Sequence, residues 1–131
     1  MESTGGTLHI DWSGWGSNST VSWNYRGTTF NAVLAKPPLS VADLSLHSLI
    51  AIVGSYDEFG SANLLLYSYD GVLKKTLTAP DLGAKAHFGR VLQIQNKVSA
   101  VVGFFDETDW IEREGFLDLS DGTIDQLHRA Y

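Results

Sequence analysis

Apolar and polar residues along this chain fall into short blocks, and no stretch sustains a 3.6-residue period. Val91-Leu92-Gln93-Ile94-Gln95 alternates, turns at Asn96-Lys97 and returns through Val98 to Phe105. Val41 to Leu46, a turn at His47-Ser48 and Leu49 to Tyr56 form a second such pair. The pattern predicts strands and hairpins. Leu49-Ile50-Ala51-Ile52-Val53 and Leu64-Leu65-Leu66-Tyr67 are continuous apolar runs. A run of that kind implies a strand covered on both faces, as in sheets stacked face to face. Ile52, Val53, Leu65, Leu66, Val101 and Val102 are therefore expected in the core. Ile124 to Tyr131 comes closest to a helical period, but its place in the pattern makes it a strand.

Blocks of the chain resemble one another. Ala51-Ile52-Val53-Gly54-Ser55-Tyr56-Asp57-Glu58 aligns with Ala100-Val101-Val102-Gly103-Phe104-Phe105-Asp106-Glu107. Leu66-Tyr67-Ser68-Tyr69-Asp70-Gly71 aligns with Leu117-Asp118-Leu119-Ser120-Asp121-Gly122, and Ser22-Trp23-Asn24-Tyr25-Arg26-Gly27 is a weaker third copy. The reading is one domain, 1–131, holding a degenerate unit near 8–37 and fuller ones at 40–79 and 89–131. Asp70-Gly71 and Asp121-Gly122 are two-residue hairpin signals of the type I′ kind, with Arg26-Gly27 a weaker version. Each full unit is a four-stranded antiparallel meander. The expected fold is all-β, an antiparallel meander of about ten or eleven strands in two and a half to three blade-like units, propeller-like or a closed barrel or two-sheet variant.

The stretch Tyr67-Ser68-Tyr69-Asp70-Gly71-Val72-Leu73-Lys74-Lys75-Thr76-Leu77 resembles the third and fourth strands of a β-propeller blade, and Leu117 to Ile124 looks like the same block. A complete propeller typically needs at least four blades. The resemblance therefore implies exposed edge strands and a homo-oligomer formed through them, or a different closure. The overall pattern is also similar to that of small uncharacterised bacterial proteins associated with immunity to toxins.

Charge adds a polarity to this architecture. The chain has 131 residues and a formal net charge of −6. Residues 1–103 are balanced, and the excess lies in the last 28, where eight acids face only Arg113 and Arg129. Such a surface repels phosphate backbones, so nucleic acid is not an expected partner, whereas a basic protein is. No apolar run reaches the length of a membrane span. With no secretory leader visible and no cysteine, a cytoplasmic location is expected.

Candidate chemistry is sparse. His9, His47, His87 and His128 are scattered without metal-ligand spacing, and no nucleophile elbow or phosphate loop is present. No catalytic residue, metal site or cofactor is assigned, and the chain is read as a non-enzyme. The segment Asp106-Glu107-Thr108-Asp109-Trp110-Ile111-Glu112-Arg113-Glu114 stands out. Read as a loop longer than its counterpart, it surrounds a tryptophan with acids. Asp106, Glu107, Asp109, Trp110, Glu112 and Glu114 are thus the candidate partner-binding residues. The competing reading folds Trp110 and Ile111 back as a lid on the core. Trp12, Trp15 and Trp23 cluster among glycines and polar residues, a composition that suits stacking on a sugar ring. The leading expectation is a binding or inhibitory module for a basic protein, such as an immunity protein. The alternatives are a lectin-like repeat protein and an enzyme whose site carries no recognisable motif.

Overall fold

The computed structural model describes residues 8–12 and 19–129. The chain is all-β, built of three antiparallel sheets, none closed into a barrel. The first sheet holds β1 (Ile10–Asp11), β2 (Thr20–Tyr25) and β3 (Thr28–Val33) in sequential order. The middle sheet holds β4 (Ser40–Leu44), β5 (Leu49–Val53), β6 (Leu64–Ser68) and β7 (Leu73–Leu77). The last sheet holds β8 (Ala84–Ile94), β9 (Lys97–Asp106), β10 (Asp109–Leu117) and β11 (Ile124–Arg129). One short helix, α1 (Tyr56–Phe59), bridges β5 and β6. Among the described residues, no helix is long and apolar enough to cross a membrane.

The continuous apolar runs have the cause their pattern implies. On β5, Ile50 and Ile52 face the first sheet, in a core with Val21, Trp23, Ala32, Leu34 and Leu65. Their neighbours Ala51 and Val53 face the last sheet, in a second core with Leu44, Leu66, Phe88, Ala100 and Val102. The middle sheet is therefore covered on both sides, and a strand there has no solvent face on which to place a polar residue. All six expected core residues, Ile52, Val53, Leu65, Leu66, Val101 and Val102, are buried. On β9 the residues turned toward the middle sheet are Val98, Ala100, Val102 and Phe104. The aligned strands β5 and β9 thus contribute to one core through equivalent residues, Ala51 and Val53 from one and Ala100 and Val102 from the other.

Polar groups inside this stack are paired. The Asn63 side chain is fully buried between the two larger sheets. Its Nδ2 donates to the carbonyls of Gly54 and Phe88, each at 2.8 Å, and its Oδ1 accepts from Phe88 N–H at 2.9 Å. These bonds satisfy Phe88 where the β8–β9 ladder shifts register. Trp23 Nε1–H donates to the Tyr69 carbonyl at 2.9 Å, tying the first sheet to the middle one.

The turns differ from expectation. Arg26-Gly27 is the two-residue turn with positive φ at both positions, 53° and 82°, and it closes the Tyr25–Thr28 pair. Asp70-Gly71 belongs to a three-residue connection instead. Gly71 N–H bonds Ser68 O at 3.0 Å, and only Gly71 takes positive φ, at 88°. That is a type I turn followed by a left-handed glycine. Asp121-Gly122 ends a six-residue connection between Leu117 and Ile124. There Asp118 accepts from Ser120 N and Oγ, and Asp121 from Thr123 N and Oγ1. Side-chain carboxylates close these turns, so the aspartates serve as acceptors rather than as bearers of positive φ.

Candidate functional site

The largest correction concerns residues 106–114. They do not form a long loop. Asp106 and Asp109 pair directly, leaving a two-residue turn at Glu107-Thr108, and Glu107 takes the positive φ (58°) that the tight turn requires. The residues beyond the turn belong to β10. The aligned connection in the middle sheet is the longer one, running from Gly54 to Asn63 through α1. Extra residues in the last sheet lengthen strands instead: β9 and β10 have 10 and 9 residues, against 5 each in β5 and β6. A signal for this was present in the sequence. From Trp110 to Leu117 the outward positions are Trp110, Glu112, Glu114 and Phe116, and the inward ones include Ile111 and Leu117.

Period-two alternation places Trp110 on the open face of the last sheet, opposite Phe105. Its ring lies across Gly103, where an added Cβ would sit 2.1 Å from the indole. Only a residue without a side chain leaves that seat vacant. The indole meets the Phe105 ring edge-on at 5.0 Å and the His87 ring at 5.4 Å, and His87 in turn meets Tyr56 at 5.2 Å. This aromatic row is held on both flanks, yet Trp110 remains 44% exposed. Sequence does not single out these residues, because His87, Gly103 and Phe105 meet Trp110 only through cross-strand register and Tyr56 reaches His87 from α1.

The six acidic and aromatic candidates divide by role. Asp106, Glu107 and Asp109 crown the hairpin tip and are exposed. Among the described residues they make no ion pair. The Asp106–Asp109 pair sets two carboxylates directly opposite one another, an arrangement that costs stability when no cation is near. Glu112 accepts from Trp110 Nε1–H at 3.2 Å, which fixes the indole's orientation. Glu114 is engaged by Arg90 at 3.9 Å and His128 at 3.6 Å, over Val101, so it covers the sheet rather than facing outward alone. The aligned Asp57-Glu58 pair has a structural task. Glu58 accepts from the backbone N–H of Ala35 and Lys36 at 2.8 and 3.0 Å, and Asp57 pairs with Lys36.

The three tryptophans of the first third do not stand alike. Trp23 is only 1% exposed and sits inside the core between the first and middle sheets, so its ring is closed to a ligand. Trp12 is half-buried against the same core. Trp15 lies outside the described residues. Among the described residues, no group of three or more His, Asp or Glu is placed to hold a metal ion.

Two tyrosines show where burial perturbs ionisation. Desolvation raises the pKa of Tyr67, and desolvation followed by a hydrogen bond to Asp43 raises that of Tyr69. Tyr69 stays a donor, its hydroxyl 2.5 Å from Asp43 Oδ1. Both lie along the first core and not at the hairpin. In the β10–β11 connection, hydrogen bonds from Ser120 lower the pKa of Asp118. No protein-family model, curated protein or solved structure matches the chain.

Proposed function

We propose that the chain is a non-catalytic binding module that engages a basic protein through the face and tip of the β9–β10 hairpin. The observation that carries the reading is Trp110: a large ring seated on Gly103, oriented by Glu112 and left 44% exposed below a tip of unpaired carboxylates. An indole already ordered by its neighbours loses little entropy when a partner covers it, and such residues supply most of the affinity of an interface. The tip carboxylates supply long-range attraction and a fast approach. In its narrower form the reading is an immunity protein that neutralises a basic toxin in the bacterial cytoplasm, as the overall pattern of the sequence suggests.

The test is an array of lysine- and arginine-rich peptides beside acidic and neutral ones, probed with the folded chain. Basic peptides should be retained, and binding should weaken steeply as salt rises. Glu107→Lys with Asp109→Lys, at the exposed tip, should mainly slow association. Equal retention of acidic and basic peptides, insensitive to salt, would refute the reading.

A further inference from the structure

A cleft of about 480 Å³ lies between the first and middle sheets where their turns gather. That volume is in the range of small-molecule sites. Its walls come from the ends of β2 and β3, the β6–β7 connection and Ser48 of the β4–β5 turn, while β1 borders the other edge of β2. Tyr25, Phe30 and Tyr69 are half-buried and form the floor, and Arg26, Thr28, Ser48 and Asp70 are exposed around them. Tyr25 and Tyr69 touch, with ring centroids 5.3 Å apart. Tyr69 is fixed twice. Its hydroxyl donates to Asp43 Oδ1 at 2.5 Å, and its carbonyl accepts from Trp23 Nε1–H at 2.9 Å. A ring already ordered in this way loses little entropy when a ligand covers it.

The rim is balanced in charge, with Arg26 as its cation and Asp70 as its carboxylate. The Arg26 guanidinium carbon lies 4.9 Å from the centre of the Tyr25 ring, and among the described residues the side chain makes no ion pair. Asp70 Oδ1 accepts from Ser68 Oγ–H, and the exposed carboxylate keeps a second oxygen for another donor. Thr28 and Ser48 add hydroxyls, each able to donate and to accept. The turn itself does not require an arginine. At a φ of 53° asparagine or glycine sits with less strain.

We propose that this cleft binds a neutral sugar ring, its C–H face against the tyrosines and its hydroxyls on Arg26 and Asp70. The ligand class follows from floor and rim together. An aromatic floor favours a ligand with a flat apolar face. A rim that donates at one point and accepts at the next favours a ligand that does both at adjacent atoms, as vicinal hydroxyls do. A ligand of either net charge is attracted by one of Arg26 and Asp70 and repelled by the other, so neither sign gains. The inference goes beyond the basic-partner reading and needs nothing from the β9–β10 hairpin. It places sugar binding on Tyr25 and Tyr69 instead of on the tryptophans that composition suggests.

The experiment titrates the full chain with glucose, galactose, mannose and N-acetylglucosamine, followed by amide NMR. Glucuronic acid and glucosamine serve as charged counterparts. At least one neutral sugar should bind saturably, shift the amides of Tyr25, Arg26, Tyr69 and Asp70, and keep its affinity as salt rises. Arg26→Asn suits the turn, so its melting temperature should hold or rise while sugar affinity falls about tenfold. Binding by none of the neutral sugars overturns the proposal, and so do shifts confined to other strands. Tighter binding of glucuronic acid or glucosamine than of every neutral sugar overturns it too, because the rim then selects a charge. Unchanged affinity in Arg26→Asn has the same force, since Arg26 is then only packing on Tyr25.

Discussion

The middle and last sheets carry the same short block, Ala51-Ile52-Val53-Gly54 in one and Ala100-Val101-Val102-Gly103 in the other. Both blocks sit on the second strand of a four-stranded meander, and both end in a glycine beneath an aromatic ring. At Gly54 the ring is Phe59, carried by α1 and packed on the core beneath the first sheet. At Gly103 the ring is Trp110, carried by a strand and open to solvent. The two glycines perform the same local task, seating a ring against a sheet. What differs is the cover. The first sheet closes over Ile50 and Ile52, whereas the equivalent face of the last sheet carries the Trp110–Phe105–His87 row, Phe116 and the Arg90–Glu114–His128 cluster, with no sheet over them among the described residues. An open counterpart to a covered face is the reason to look for a partner there.

The sharpest contrast should appear between two tryptophans. Trp23→Ala empties a site in the covered face and should destabilise the fold by about 3–5 kcal/mol. Trp110→Ala removes a half-exposed ring and its aromatic contacts, and should cost about 1 kcal/mol. Chemical denaturation of both variants decides this. Similar losses would mean that the open face is as much a part of the core as the covered one.

Asn63→Ala should come next. It strands the Phe88 N–H and the Gly54 and Phe88 carbonyls in the space between the two larger sheets. The expected loss is about 1–3 kcal/mol, seen as a lower denaturation midpoint with an unchanged slope. A neutral result would mean that water replaces the amide and that the two sheets are less tightly joined than their contacts imply.

The glycines give a finer comparison. Gly54→Ala pushes Phe59 against the first sheet and should cost about 1–3 kcal/mol as overpacking. Gly103→Ala lifts Trp110 toward solvent, where it has room to move, so stability should fall less. The indole should instead become more accessible to iodide quenching. Equal destabilisation with no change in quenching would show that Trp110 is held as firmly as Phe59.

Smallest are the effects of pH, and they separate the first core from the β10–β11 connection. Tyr69 has a folded pKa above its usual value, so its contribution is complete below about pH 10 and is lost as pH rises further. Asp118 has a folded pKa below its usual value, so its contribution is complete above about pH 4 and fades as pH falls. Asp118→Asn should flatten the acid limb of the stability profile and leave the alkaline limb alone. Tyr69→Phe should do the reverse. An unchanged acid limb in Asp118→Asn would assign that limb to other carboxylates.

Much of this architecture could be read from the residues. Leu49-Ile50-Ala51-Ile52-Val53 announces a strand covered twice because an uninterrupted apolar run has no other use in a sheet of this length. The turns were less legible. Arg26 adopts a conformation that its side chain disfavours, imposed by the pairing of β2 with β3, whereas the aspartates before Gly71 and Gly122 serve as acceptors instead. The segment from Asp106 to Glu114 reads as a loop in the sequence and folds as strand, because added residues can lengthen a loop or the strands beside it, and only register distinguishes the two. Trp23 and Trp110 are alike in composition and opposite in burial. Which one is enclosed depends on the first sheet, whose position no local pattern states.

The most direct test of the open-face account is a paired measurement on Trp110→Ala, made against a lysine-rich peptide at low salt and against heat. The account predicts that affinity falls by about 2 kcal/mol, close to thirtyfold, while the melting temperature shifts by only a few degrees. A melting temperature that drops sharply while affinity stays unchanged would contradict it, and would make Trp110 a lid over Gly103 rather than the anchor of a partner.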